Sequence, residues 1–273
     1  MTKKLLPNAL ELEIRREFSE RLKNFMAQKK WIDDAIGSIV QHESGGLYGY
    51  RVRVKEISNV LTKIQGKIEN ELELIKSGQM AESEAKWSAA KQFNDFENLI
   101  DDWVGCRVIS YLHDSLIPLH KEITTHKRLN VLRVTVHDSA ENPRFSDLRL
   151  HESRDERRLN HNGYVGIHYI LEPKPVDPCW NKEPKIFHKF ELQIRTLLQE
   201  AWGQIQHHVI YKGRMPDFIK QERSDAFSGL AGFLAQCDVE LARLAKDPQV
   251  QDLAKQNRSG SRPRQRPLNF KSR

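Results

Sequence analysis

Apolar residues recur along this chain in two different periods. Between positions 9 and 28, Leu10, Ile14, Phe18, Leu22 and Phe25 fall three or four residues apart, which predicts an amphipathic helix. A second, shorter helix is predicted over 30–42, broken by "ESGGLYGY". Over 56–77 the helical period returns with Ile57, Val60, Leu61, Ile64, Ile68, Leu72 and Ile75. Polar 78–92 reads as a loop or a further short helical excursion. The centre then shifts to period two. "CRVISYL" (106–112), "LNVLRVTV" (129–136), "YVGIHYIL" (164–171) and "KIFHKFELQI" (185–194) are strand candidates, with a helix near 115–126 between the first two. Helices are expected again over 196–212 and 216–246. In the last, Phe227, Leu230, Leu234, Cys237, Leu241 and Leu244 form a heptad-like seam. Such a seam suits packing within the chain before it suits a homo-oligomer. Helices flanking a small mixed sheet at both ends give an α+β fold.

Composition narrows the class. The chain has 273 residues, 38% hydrophobic and 30% charged, enough for one α/β domain with helical additions or for two small domains. No apolar run has the length of a membrane span, and acidic residues interrupt the start before a signal-peptide core could form. Cys106, Cys179 and Cys237 lack metal-ligand spacing and read as reduced thiols of a cytoplasmic protein. The net charge is +7, yet six Lys/Arg without a single acid stand in the tail Arg258–Arg273. The body is therefore nearly neutral. Ser, Gly, Pro and Arg in the tail predict disorder; its charge suits contact with tRNA or the ribosome, or simple solubility.

Chemistry concentrates on a few polar faces. In "FELQIRT", Phe190, Leu192 and Ile194 face one way while Glu191, Gln193 and Arg195 face the other. A half-buried strand needs only solvent to explain that alternation. However, Asp102 stands just before the "GCRVI" strand, and two carboxylates on neighbouring strands can share Mg²⁺ with phosphate oxygens. In "NGYVGIHY", Tyr164, Gly166 and His168 share a strand face, and an exposed Tyr164 could stack on a base. Lys55, Asn59 and Lys63 recur every four residues, a basic stripe that suits a polyphosphate or merely solvent.

Taken in order, these residues form a pattern: Arg53-x-Lys55 with Lys63, Asp102-x-x-Gly105-x-Arg107, Gly163-Tyr164 with His168, Glu191-x-Gln193-x-Arg195-Thr196, then Trp202, His207 and Tyr211-Lys212. Over roughly 45–215 the chain resembles the synthetase domain of the RelA/SpoT alarmone-synthetase family, especially its small single-domain members. The resemblance implies a nucleotidyltransferase-like mixed sheet in 45–215, a helical extension over 1–44, a C-terminal helix over 216–250 and a basic disordered tail over 251–273. It also implies transfer of pyrophosphate from ATP to the 3′-hydroxyl of GDP or GTP, making (p)ppGpp, with Mg²⁺ as cofactor.

Residue by residue, the resemblance assigns Arg53 and Arg107 to the adenine of ATP, and Lys55, Asn59 and Lys63 to the donor phosphates. Asp102 and Glu191 become the catalytic, Mg²⁺-binding carboxylates. Tyr164 stacks on the acceptor guanine, His168 and Gln193 contact its ribose or phosphates, and Glu200 reads its base edge. Trp202, His207 and Tyr211 brace the sheet. Four positions depart from the family's usual residues: Asn59 for serine, Asn160 for a lysine on the acceptor phosphates, Gly166 for serine, and Glu200 for Asp or Asn. Arg157 and Arg158 are the expected substitutes for the missing lysine. Because these changes fall mostly on the acceptor side, two alternatives stay open: the 3′ end of tRNA, or an adenine nucleotide. The histidine–aspartate hydrolase domain of long family members is not expected in the short stretch before Arg53, and His113-Asp114 and His137-Asp138 read as chance pairs.

Overall fold

The chain is described from a computed structural model, over residues 5–42, 47–140, 145, 148, 155–160, 164–175, 189–206, 208–209, 217–248 and 268–269. The N-terminal stripe continues without a break: α1 runs Asn8–His42 as one helix where two were expected. No Gly or Pro falls between Asn8 and Gly37, and Phe25, Ile32, Ile36 and Ile39 carry the buried stripe through the polar 28–30 stretch.

The sheet is built from β1 (Leu47–Val54), β2 (Val104–Ser110), β3 (Leu129–Ser139), β4 (Glu156–Asn160), β5 (Gly166–Pro173), β6 (Phe190–Thr196) and β7 (Leu268–Asn269). Their spatial order is β4-β3-β5-β6-β2-β1-β7. β2 and β6 run parallel at its centre, with antiparallel neighbours β1 and β5 on either side. Helices α2 (Ile57–Lys76), α3 (Phe93–Leu99), α4 (Leu116–Thr125), α5 (Leu197–Gln206) and α6 (Asp217–Ala245) complete the α+β architecture. Strands β1 and β4 and helix α3 were not anticipated. β4 is a polar edge strand, and β1 hides its Val/Arg alternation in a run that reads as the entrance to α2.

Register sorts the side chains into two faces. Arg51 pairs with Arg107, Arg107 with Gln193, Gln193 with His168, and His168 with Thr135. That face is polar across five strands. The opposite face carries Val52, Val108, Ile194, Ile167 and Val136, all buried in one core with α1. Trp103, directly before β2, closes that core against Phe18, Phe25 and Phe93. Burial of such aromatic rings contributes most per residue, so the polar face is anchored by the apolar one behind it.

Two loops are tied by carboxylates. Glu71 accepts backbone hydrogen bonds from Lys86, Trp87 and Ser88 (2.7–3.1 Å) and one from the Ser88 hydroxyl (2.9 Å). Buried Asp138 accepts from the Phe145 amide at 2.9 Å.

The expected seam of α6 does not pack inward. Ala231, Ala235, Asp238 and Ala242 are buried, whereas Leu230, Leu241 and Leu244 are 43–55% exposed. Alanines let α6 approach α5 closely, and Asp238 adds a buried bond from the Thr196 hydroxyl (2.8 Å). The Trp202 indole donates to the Phe227 carbonyl at 3.1 Å. The tail is also not wholly unstructured, since Leu268–Asn269 pairs in parallel with Gly49–Tyr50. Cys106 and Cys237 are free thiols, and Cys179 lies outside the described residues. No helix among the described residues is long and apolar enough to cross a membrane.

Candidate active site

A cavity of about 580 Å³ opens on the polar face, lined from one end to the other by β1, β2, β6 and α5. Its floor holds the two carboxylates. Asp102 precedes β2, and the chain there is fixed by the Lys55 amide, which donates to the Trp103 carbonyl (2.9 Å). The Lys55 and Lys63 ammonium groups reach Asp102 Oδ2 and Oδ1 at 2.5 and 2.6 Å. Burial alone would raise the Asp102 pKa, but the two lysines outweigh it and hold the group below its ordinary value. Burial lowers the Lys55 pKa in turn, against the pull of Asp102. The lysines thus come from the end of β1 and the second turn of α2. Asn59 is exposed on α2 and does not line the cavity.

Glu191 lies one strand away, at the register position of Gly105. It receives the His168 Nδ1 at 3.0 Å and the Gln193 amide at 2.8 Å. Burial opposes its charge, yet these donors bring its pKa down to about 2. Both carboxylates are therefore ionised at neutral pH.

The arginine end comes from β1 and β2. Arg51, Arg53 and Arg107 share the polar face of adjacent strands and line the cavity. Burial, then Arg107 and Arg51, lower the Arg53 pKa, as crowding of like charges requires. Arg107 donates to Glu200 (2.6 Å) and to the Gln193 side-chain Oε1 (3.3 Å). Arg53 and Arg107 are brought together as anticipated; Arg51 and Tyr48, also in the lining, were missed. Arg51 shares the alternation of "RVRV" with Arg53, and that signal was sufficient to find it.

The aromatic end centres on Tyr164. The Arg195 guanidinium lies over its ring, 4.8 Å from the centroid. Its hydroxyl sits 2.6 Å from His168 Nε2, and burial pushes its pKa up to about 12. Arg195 also donates to Gln193 (2.6 Å) and reaches Glu200 at 3.4 Å. Glu200, expected to read a base edge, instead stands between two guanidinium groups. His137 packs at 4.5 Å from His168 and edge-on to Tyr164; burial lowers its pKa to about 4, so it is neutral. The sequence marks His137 only as half of a chance His-Asp pair.

The departures acquire physical reasons here. A Cβ on Gly166 would meet the Ile194 carbonyl at 3.2 Å and Arg195 Cγ at 3.3 Å, so a larger residue fits only if these neighbours give by a few tenths of an ångström. The Asn160 amide donates to the Tyr164 carbonyl (3.1 Å) and contacts His137 Nδ1 (3.3 Å). It fixes the tyrosine's backbone. Arg157, expected in place of the missing lysine, does not reach the cavity. It lies on the opposite sheet face, donating to the Leu148 carbonyl (3.0 Å) beside Asp138 (3.5 Å). Arg158 shares the face of His137 but pairs with Glu156 (2.6 Å) on the edge strand. Neither lines the cavity. Trp202 packs 6.4 Å from Tyr164, a bracing position. His207, Tyr211 and Lys212 lie outside the described residues.

The Mg²⁺ expectation can be set against this donor set. Among the described residues no three His, Cys, Asp or Glu side chains form a metal group. Two ionised carboxylates in one cavity, backed by lysines, fit a hard cation that brings phosphate and water oxygens with it.

Comparison with known proteins places this geometry. Among curated proteins none matches the chain. The fold is shared with small alarmone synthetase 1 of Bacillus subtilis, solved with its product pppGpp: TM-score 0.54 at 16% identity, over 86% of this chain and 99% of that one. It is shared with small alarmone synthetase 2 of the same organism (0.54, 19%, 84% and 97%). A GTP pyrophosphokinase family protein of Streptococcus pneumoniae also matches (0.51, 19%, 89% and 97%). Residues 52–216 match the family described as the region found in RelA / SpoT proteins. That stretch contains both carboxylates, all three cavity-lining arginines from 53 onward and Tyr164, and the chain belongs to the RelA/SpoT family.

Proposed function

We propose that this chain is an alarmone-synthetase-type transferase that moves pyrophosphate from ATP to the ribose 3′-hydroxyl of GDP or GTP. One observation carries the reading. A single cavity on one sheet face brings the ionised pair Asp102 and Glu191 together with an arginine cluster and the Tyr164 ring. A transfer between two nucleotides needs these parts in one cavity: flat groups for two bases, and charges for the phosphates that pass between them.

At the donor end, Arg53 and Arg107 offer flat cations to the adenine of ATP, which stacking on guanidinium suits. Lys55 and Lys63 exchange Asp102 for donor phosphate oxygens. At the acceptor end, Tyr164 supports guanine, and Glu191 orients the 3′-hydroxyl. The hydroxyl oxygen attacks the β-phosphorus as the bond to the α-phosphate's bridging oxygen breaks. AMP leaves with that oxygen, and the hydroxyl proton passes to Glu191 or to solvent. Asp102 and Glu191 would hold Mg²⁺, which supplies charge neutralisation on the phosphate oxygens. The lysines and arginines stabilise the remaining developing charge in a partly desolvated site. A B. subtilis relative solved with pppGpp supports a guanine nucleotide acceptor.

A second acceptor deserves mention on one ground. The groups flanking Tyr164 on its β3–β4 side, Asn160 and neutral His137, carry no charge. That suits an acceptor without a terminal polyphosphate, such as the 3′ end of tRNA. The test offers ATP labelled in its β- and γ-phosphates, with Mg²⁺, to GDP, GTP, adenine nucleotides or bulk tRNA. Label in GDP or GTP is expected. Label confined to tRNA or to an adenine nucleotide overturns the guanine acceptor, and no label in any acceptor overturns the transferase reading.

A further inference from the structure

Helix α6 lies wholly beyond residues 52–216, the stretch that matches the family, yet it is bonded to the helix that forms one wall of the cavity. Its buried stripe is Ala231, Ala235, Asp238 and Ala242, spaced four, three and four residues apart. That is the spacing of a helix seam, with a carboxylate where another alanine would pack. Asp238 has no exposed surface. Burying a carboxylate costs free energy that an apolar side chain does not, so its presence calls for a specific partner.

The partner is Thr196, the last residue of β6. The Thr196 hydroxyl donates to Asp238 Oδ2 at 2.8 Å and accepts from the Gln199 amide at 3.2 Å. The directions are fixed, because the amide only donates and the hydroxyl has one hydrogen to give. The second contact is an N-cap: it satisfies an amide in the first turn of α5, which begins at Leu197. One hydroxyl therefore sets both where α5 starts and how α6 lies against it. Thr196 and Gln199 are buried, so the link is shielded from water.

The next residue along α5 is Glu200, whose carboxylate reaches Arg107 at 2.6 Å and Arg195 at 3.4 Å. Gly203 follows, so near to Arg195 that an added Cβ would stand 3.2 Å from Nη1. A small shift of α5 thus reaches both arginines. A second tie, from the Trp202 indole to the Phe227 carbonyl (3.1 Å), holds the middle of α5 and leaves its first turn to Asp238.

We propose that Asp238 is a positioning residue: through Thr196 it locks the first turn of α5, and with it the place of Glu200 between Arg107 and Arg195. It touches neither nucleotide. A single buried polar group can fix the register of a helix pair, at a cost in stability that an apolar residue avoids. Helix α6 is then a working part of the transferase and not only a cover. This inference rests on the proposed function, in which Arg107 serves the donor and Arg195 covers the acceptor's platform.

The test compares Asp238→Ala, which extends the alanine stripe, with Asp238→Asn, whose amide oxygen still accepts from Thr196. Label transfer from ATP is measured over ranges of ATP and acceptor concentration, with thermal melting as the fold control. Asp238→Ala should raise both KM values about tenfold, the equivalent of one hydrogen bond, and Asp238→Asn should rescue most of the loss. Thr196→Val tests the bond from its other end and should act in the same direction, with rescue by Thr196→Ser. The decisive measurement is the cycle with Glu200→Gln. Asp238 acts through Glu200, so adding Asp238→Ala to Glu200→Gln should raise neither KM further.

A brace of purely structural value would lower the melting temperature and leave both KM values alone, or would add in full to Glu200→Gln; either result overturns the proposal. A second readout needs no turnover. In the full chain, Asp238→Ala should quicken amide hydrogen exchange over 199–202 more than over 225–245. Unchanged exchange at the start of α5 overturns the proposal even if transfer to guanine nucleotides is confirmed. If the wild-type chain labels no acceptor, the function fails, while the exchange still decides the link.

Discussion

Arg107 and Glu200 pair at 2.6 Å across the roof of the cavity, and the same carboxylate reaches Arg195, the cation that covers Tyr164. One side chain therefore touches the donor-side arginine and the acceptor-side arginine together. Glu200→Gln removes the charge that both cations share. It should raise the KM for ATP as well as for the acceptor, each by about ten- to 150-fold, the range of one charge-assisted hydrogen bond. A glutamate that only reads guanine would leave the ATP KM unchanged and relax base choice instead. Measuring both constants, and offering an adenine acceptor, distinguishes the two roles.

The two carboxylates should be interchangeable with nothing. Asp102→Ala or Glu191→Ala should reduce transfer by about 10²–10⁴ while the melting temperature stays near native, since each removes metal or acceptor positioning. Asp102→Ala carries a further signature. Lys55 and Lys63 lose their shared counter-charge and repel each other. Binding of a polyphosphate to that variant, measured by calorimetry without turnover, should survive. Loss of binding together with loss of turnover would show that Asp102 organises the lysines more than it serves the reaction.

Much of this site was legible because its residues come in short, rigid pieces. "FELQIRT" fixes the face of Glu191, Gln193 and Arg195 by strand alternation alone, and the register confirms that face. "DDWVGCRV" places Asp102 at a strand entrance for the same local reason. What could not be read is which side chain meets which. Arg157 and Arg158 are adjacent in sequence, so a strand at that point must send them to opposite faces; without β4 in view they read as a pair. The α6 seam failed for a related reason. Leucine spacing reported a stripe, but the burial of alanines at 231, 235 and 242 was decided by how closely α5 could approach. Partner distance is a tertiary quantity, and the local pattern contains only half of it.

Glu71 gives a stability prediction outside the cavity. Burial disfavours its charge, but the hydrogen bonds from Lys86, Ser88 and Trp87 overcome this and lower its pKa. A carboxylate with a depressed folded-state pKa contributes stability above its unfolded value, about 4.3, and loses it as pH falls through the lower folded value. Glu71→Gln should therefore cost about 1–3 kcal/mol at neutral pH, because an amide leaves several donors unmet. The difference from wild type should shrink on acidification. Chemical denaturation at neutral pH and at about pH 3 tests this. A gap that is constant with pH would assign the loss to packing instead.

Gly166 offers the sharpest test of how the acceptor end is assembled. Its position is set by backbone on one side and by the aromatic platform on the other: the Ile194 carbonyl at 3.2 Å, Arg195 Cγ at 3.3 Å and the Tyr164 hydroxyl at 3.5 Å from an added Cβ. The carbonyl belongs to a buried strand and yields little, so the Arg195 side chain must give by a few tenths of an ångström, while the Tyr164 hydroxyl stays in ordinary contact. Gly166→Ala should cost about 1–3 kcal/mol through overpacking. The displaced guanidinium should also leave the tyrosine ring, so the acceptor KM should change more than the ATP KM. Gly166→Ser adds a hydroxyl at the same place and should be no better tolerated. If Gly166→Ser melts like wild type and transfers with an unchanged acceptor KM, then the contact between Arg195 and Tyr164 is not what positions the acceptor, and the close approach of β5 and β6 has another purpose.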